Sequence, residues 1–135
     1  MTRIESEKVT VNKPASEVFS WLSDLNNYQS LMPAQVEDWV STENDCSFTI
    51  KGMASLGMAI DEKQPNTQIK LVRKGKAPFD FALYSNIKEI EPGKTELQLS
   101  FDADLNPFLK MMAEKPLGNF LNMLVKKYQD MSASS

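Results

Sequence analysis

The residues able to do chemistry are few. Asp102 and Asp104 stand two apart in FDADL, and in a strand that spacing points both carboxylates to one face. Such a pair could share a proton or begin a metal site. Phe101, Ala103 and Leu105 occupy the other face and continue an apolar stripe. The aspartates therefore fall with Glu96, Gln98 and Ser100 on a solvated face. No further ligand can be nominated from a neighbouring strand, so no catalytic residue and no metal-binding residue is assigned, and no cofactor is expected.

The chain contains 0 histidines. That removes Ser–His and Cys–His nucleophile pairs, imidazole ligands and the usual general base. Cys46 is the only cysteine, which excludes an intrachain disulfide and a Cys-based zinc site. In its strand-like run it reads as a small buried hydrophobe. Acid–base work would fall to Asp, Glu, Tyr, Lys, Arg or water.

Arg73 extends the inward register of Ile69 and Leu71. A buried arginine needs an anionic or carbonyl partner, so Arg73 is nominated to hold the polar end of a ligand. The alternative is a strand-end arginine that reaches water. Asp38, between Val36 and Val40, is a second polar candidate unless a bulge turns Trp39 inward. Ser85 follows Leu83 inward and offers a hydroxyl. Tyr28 and Tyr128 offer two more, as ligand contacts or as amphipathic rim residues. Met is flexible and polarizable, suited to adaptable linings and equally to irregular cores. The chain has 8 methionines. Met32, Met58 and Met112, with Phe79, Phe81, Phe101 and Phe120, are nominated as a deformable apolar lining.

The elements that must position these residues follow from periodicity. Residues 3–12 read as a strand through Val9 and Val11. Pro14 opens a helix carrying Val18, Phe19, Leu22 and Leu25 at helical spacing. YQSLM makes a short second helix closed by Pro33. From Gln35 to Leu105 the period is two, giving six strands joined by hairpin-length turns and therefore an antiparallel sheet. Met53 falls in this sheet, and Gly75 and Pro78 mark one of its turns. Pro92-Gly93 has the order of a type II turn. The longest alternation is Leu97, Leu99, Phe101, Ala103, Leu105. After it, Asn106 is an N-cap candidate and Pro107 the first helical residue. Phe108, Met111, Met112, Phe120, Leu121, Leu124, Val125 and Tyr128 carry the helix to about residue 131, with Phe108 and Met112 expected at the sheet–helix seam. Pro116 predicts a kink or short interruption near residues 112–118, and Gly118 weakens that turn further. The bend either follows a curved sheet or gates what lies beneath. The tail MSASS is polar.

An antiparallel sheet with one apolar face must be covered, and only the last helix is long enough. A curved sheet gripping one helix is the helix-grip architecture. VTVNKPASEVFSWLSDLNNYQSLMP, from Val9 to Pro33, resembles the opening of the START-like, or SRPBCC, superfamily, which includes the pollen-allergen fold and polyketide cyclase/dehydrase-like proteins. Many relatives carry a tryptophan near the end of the second helix, where this chain has Leu31-Met32. The resemblance implies a cavity between the concave sheet and the long helix, used by relatives for lipids, sterols, hormones or polyketide intermediates. Other members of the fold act as chaperone regulators.

Size and charge agree with one domain spanning 1–135. Hydrophobic residues make up 41% and charged residues 24% of 135, an ordinary globular balance. With 15 basic and 18 acidic residues the net charge is −3; the basic residues are scattered, which argues against nucleic acid. No apolar run approaches the ~20 residues of a membrane span. The N-terminus lacks an apolar signal region, so a cytoplasmic location and no integral membrane contact are expected. The expectation is therefore an α+β helix-grip fold. Its seven-stranded curved antiparallel sheet, in the order β-α-α-β6-α, wraps a long C-terminal helix kinked near Pro116. Its partner is a small apolar or amphipathic molecule in a pocket of roughly 300–1,000 Å³, and its assembly is a monomer or weak homodimer. A cyclase- or dehydratase-like enzyme without histidine and a protein-interaction module with a filled core stand as alternatives.

Overall fold

The computed structural model describes residues 2–52, 54–75, 77 and 79–133. Met53 and Pro78, read above as strand and turn, lie outside these residues, as does the end of the polar tail. Strands β1 (Thr2–Glu5) and β2 (Val9–Val11) lead into helix α1 (Ala15–Leu22) and a 3₁₀ helix (Leu25–Leu31). Then come β3 (Val36–Ser41), β4 (Asp45–Ile50), β5 (Ala54–Gln64), β6 (Gln68–Arg73), β7 (Phe81–Glu91), β8 (Lys94–Ala103) and helix α2 (Pro107–Ala133). This is the expected order of elements.

One antiparallel sheet runs β1-β8-β7-β6-β5-β4-β3, with β2 also on β8. The single first strand expected from residues 3–12 is two strands. Both pair with β8, and they are separated at Ser6, whose N–H donates to the Leu99 carbonyl at 2.8 Å while its hydroxyl accepts from Leu99 N at 2.9 Å. The hairpin between β7 and β8 turns at Pro92-Gly93, where Gly93 takes φ 76°; that sign of φ is what the second central residue of a type II turn needs. The sheet does not close, and its concave face carries alternate buried residues such as Phe48, Leu56, Met58, Leu71, Leu83, Leu99 and Phe101.

β3 departs from simple alternation. Asp38 has φ 57°, and the register to β4 shifts between Glu37 and Val40. This bulge turns Trp39 onto Phe48, with ring centroids 5.4 Å apart, and leaves Val40 66% exposed. Asp38 is thereby removed from the inward face, because the extra residue flips the side-chain order.

Three caps fix the helices. The Glu89 carboxylate on β7 accepts from Ala15 N at 2.7 Å, placing a negative charge at the start of α1. Asp24 accepts from Asn26 N at the 3₁₀ helix. Asn106 Oδ1 accepts from Leu109 N at 2.8 Å, and Pro107 is the first residue of α2, as expected from the sequence.

α2 runs unbroken from Pro107 to Ala133 with Pro116 inside it. The chain thus stays helical where the sequence allowed an interruption. Its two halves are held very differently. From Leu117 onward it buries Leu117, Phe120, Leu121, Leu124, Val125 and Tyr128 against the sheet and α1. Polar ties reinforce this half: Asn122 Oδ1 accepts from Glu7 N at 2.7 Å, Lys126 pairs with Glu7 at 3.3 Å, and Gln129 Nε2 donates to the Thr10 carbonyl at 3.0 Å. Before Leu117 no residue of the helix is buried, and Phe108, Met111 and Met112 are 67%, 83% and 62% exposed. Pro116, which cannot donate to the Met112 carbonyl, sits at the boundary.

Candidate functional site

The concave face and the anchored half of α2 enclose one wholly apolar space. Tyr28 and Met32 line it from the 3₁₀ helix and its end, Phe48, Ile50, Leu56, Met58, Leu83 and Phe101 from the sheet, and Leu117, Phe120, Leu121 and Leu124 from α2. Each sheet residue is there because it is the inward member of an alternating strand. Each helix residue is there because spacings of three and four keep it on one stripe. The side chains nearly meet, leaving about 30 Å³ of open volume, the share of a single water. This corrects the expected pocket of several hundred Å³: the large side chains, Met32, Met58 and the phenylalanines among them, fill the seam.

A second, smaller space beneath Leu22, Leu31, Leu97, Leu99 and Val125 includes Ser85, Tyr28 and Tyr128. Here the inward hydroxyls are already used. Tyr28 donates to the Leu22 carbonyl at 2.8 Å, and Ser85 hydrogen-bonds to Tyr28. Burial, countered by that bond, raises the Tyr28 phenol well above the usual tyrosine range. Burial, with the Asp45 charge beside it, pushes the Cys46 thiol up to about 12. A buried thiol of that kind is inert as a nucleophile.

Arg73 is placed outside the enclosed space. It is the last residue of β6 and exposed; its Nε pairs with Asp80 Oδ1 at 2.7 Å and its Nη1 donates to the Gly75 carbonyl at 3.2 Å. Where the strand ends, the long side chain is free to turn to water. It borders an open rim hollow with Phe79, Asp104, Leu105 and Leu109. Phe79 connects that rim to the interior: it meets Phe81 and Phe101 edge-on at 6.1 and 6.4 Å, while Phe81 stacks on Phe101 at 5.2 Å.

Among the nominated residues, Tyr28, Met32, Met58, Phe101 and Phe120 are brought together around the enclosed space. Phe81 stacks behind Phe101, Ser85 lies at the deeper end, and Arg73 and Phe79 stand at the rim. Met112 is corrected to a solvent-facing residue, as is Phe108. Over the first turns of α2 the half-buried residues are Leu109 and Ala113, in line with Leu117 and Phe120, and Phe108 and Met112 are rotated round the helix toward water. Phe48, Ile50, Leu56, Leu83, Leu117, Leu121 and Leu124 were not nominated. Their signal was present as the same inward register that selected Met58 and Phe101.

The aspartates do not form a pair: Asp102 lies on the outer face of β8, and Asp104, just past the strand's end, stands at the rim. Asp102 takes a two-pronged hydrogen bond from Arg3, Nε at 2.7 Å and Nη2 at 2.9 Å, which holds its carboxyl below the usual range. Arg3 and Lys70 each lie 5.9 Å from the Tyr84 ring centroid, a cation–π arrangement on the convex side of the sheet. Asp104 is exposed. Among the described residues no three His, Cys, Asp or Glu side chains converge on one point. No described helix is long and apolar enough to cross a membrane.

Solved structures share this architecture. A START superfamily protein from Mycobacterium smegmatis superposes with TM-score 0.77 at 18% identity, covering 98% of this chain and 97% of that one. The protein XoxI from Bacillus cereus gives 0.78 at 11% identity, covering 98% and 96%. A protein from Thermus thermophilus gives 0.78 at 15% identity, covering 99% and 100%. No protein-family model matches the chain, and no curated protein matches it in sequence. The fold is the START-like helix-grip fold. At these identities the likeness speaks for architecture alone.

Proposed function

We propose that this chain binds a small hydrophobic or amphipathic ligand between the concave sheet and α2. The observation that carries this reading is a wholly apolar enclosed lining lying next to ten helical residues, 107–116, none of which is buried. Burial of apolar ligand surface supplies the affinity, about 25 cal/mol per Å² removed from water. Because only about 30 Å³ stands open, the ligand enters by displacing side chains, with the first turns of α2 swinging about Pro116 and Gly118. Any polar group of the ligand then lies toward the rim, near Arg73 and Asp104, because the inner hydroxyls of Tyr28 and Ser85 are engaged.

The cyclase-like alternative draws no support from the lining, which contains no carboxylate. The interaction-module alternative draws on one observation, the exposed Phe108, Met111 and Met112 above a filled core. Native mass spectrometry of protein purified from its own source separates the two readings. A co-purifying lipid-like mass, lost on denaturation, is expected. Repeated absence of any such mass, with no uptake of added cis-parinaric acid, would leave the filled-core module as the better account.

A further inference from the structure

A further concavity lies toward the other end of α2, against α1. It is a groove of about 670 Å³ lined by Lys13, Ser16, Glu17, Ser20 and Trp21 on one side and Tyr128 and Met131 among the residues on the other. Its floor is aromatic: the half-buried Trp21 ring rests on the buried Tyr128 ring, 5.0 Å apart and tilted by 48°. Ser16, Glu17 and Ser20 are exposed along the rim. Lys13 and Glu17 are in none of the ion pairs formed among the described residues. Glu17 faces the groove closely enough for its charge to act on the Tyr128 phenol, whose pKa is raised first by burial.

We propose that this groove binds a zwitterion with an apolar ring, the chemistry that a free aromatic amino acid presents. The volume falls in the range of small-ligand sites. The groove offers one ammonium, one carboxylate and an apolar indole floor, and each has a counterpart on such a ligand. The ligand's carboxylate pairs with Lys13, and charge-assisted hydrogen bonds are the strong ones. Its ammonium pairs with Glu17. Its ring packs on the half-buried Trp21 indole, at the offset or edge angles aromatic pairs prefer, with the buried Tyr128 ring supporting the indole from behind. The Ser16 and Ser20 hydroxyls complete the polar rim. A dianion would be repelled by Glu17, and a bare hydrocarbon would leave both charges unmatched. This site is separate from the enclosed lining, which carries no charge.

The test uses Trp21 as its own reporter. The chain has 2 tryptophans, so Trp39→Phe, which keeps a ring against Phe48, leaves Trp21 alone. In that background L-phenylalanine should change the emission saturably. Phenethylamine and 3-phenylpropionate, each lacking one charge, should bind at least five-fold more weakly. Lys13→Met and Glu17→Gln should each weaken L-phenylalanine at least five-fold; both sites are at the surface, and circular dichroism verifies the fold. No saturable change would overturn the proposal. So would binding that survives both substitutions, or singly charged analogues that bind as tightly as L-phenylalanine.

Discussion

Leu121→Ala probes the seam between α2 and the sheet most sharply. Leu121 is 2% exposed and lines the enclosed space. Truncation removes three carbon groups, about 2.4 kcal/mol at about 0.8 kcal/mol each. If the hole stays open at about 100 Å³, a cavity term of about 24 cal/mol per Å³ adds about 2.4 kcal/mol. The expected loss is therefore about 2.5–5 kcal/mol, read from urea unfolding monitored by tryptophan fluorescence. The same truncation makes room. Toluene at one hundred times its dissociation constant should return about 2.7 kcal/mol to the variant and much less to the wild type. A loss under about 1 kcal/mol would mean that α2 settles onto the gap, contradicting a tightly packed seam. A full loss with no recovery in toluene would contradict an apolar site that a ligand can fill.

Other perturbations test other joints. A Cβ on Gly57 would run into the Lys74 carbonyl oxygen, a backbone atom, where Lys74 N already donates to the Gly57 carbonyl at 2.9 Å. Gly57→Ala should cost about 2–4 kcal/mol through overpacking and the loss of that bond, measured by thermal or urea unfolding. Gly118 meets no such obstacle, since a Cβ there would lie 3.7 Å from Ile4 Cγ2. Gly118→Ala should stabilise the helix by about 0.5–1 kcal/mol and slow uptake of cis-parinaric acid, followed by stopped-flow fluorescence. Tyr28→Phe removes the donor to the Leu22 carbonyl and should cost about 1–3 kcal/mol. It should also change the alkaline limb. A phenol whose folded pKa is raised contributes stability that is complete below about pH 10 and is lost as pH rises beyond it. The wild type should therefore lose stability above that pH more steeply than the variant, in urea titrations at successive pH values.

The architecture was legible because it is written in local patterns. The alternation from Leu97 to Ala103, the Pro92-Gly93 turn and the Asn106-Pro107 helix start each act over a few residues. The same alternation placed Asp102 on the outer face and Asp104 in water, though Asp104 stands at the rim past the end of β8. What escaped were facts set by distant partners. The sequence offers several apolar residues in the first turns of α2, but Leu109 and Ala113, in line with Leu117 and Phe120, are the half-buried ones, while Phe108 and Met112 are rotated away from that stripe. Register alone pointed Arg73 inward, but the other reading, a strand-end arginine that reaches water, is the one found; what the sequence did not show was its partner Asp80. Ser85 and Tyr28 do point inward, yet they meet each other across helical and sheet elements and leave no hydroxyl for a ligand. The Asp38 bulge depends on how β3 crosses β4, which strand periodicity alone left open. Cavity volume is the least legible quantity, because it is a small difference between large side-chain volumes and the space they fill.

The most direct measurement labels the methionine methyl groups with carbon-13 and titrates cis-parinaric acid. Met32 and Met58 line the enclosed space, Met111 and Met112 lie exposed above it, and Met131 reports on the groove at the far end. The account predicts saturable shifts at Met32 and Met58, with line broadening at Met111 and Met112 as the first turns of α2 move and no change at Met131. Unmoved Met32 and Met58 resonances at saturating ligand would contradict binding between the sheet and the helix.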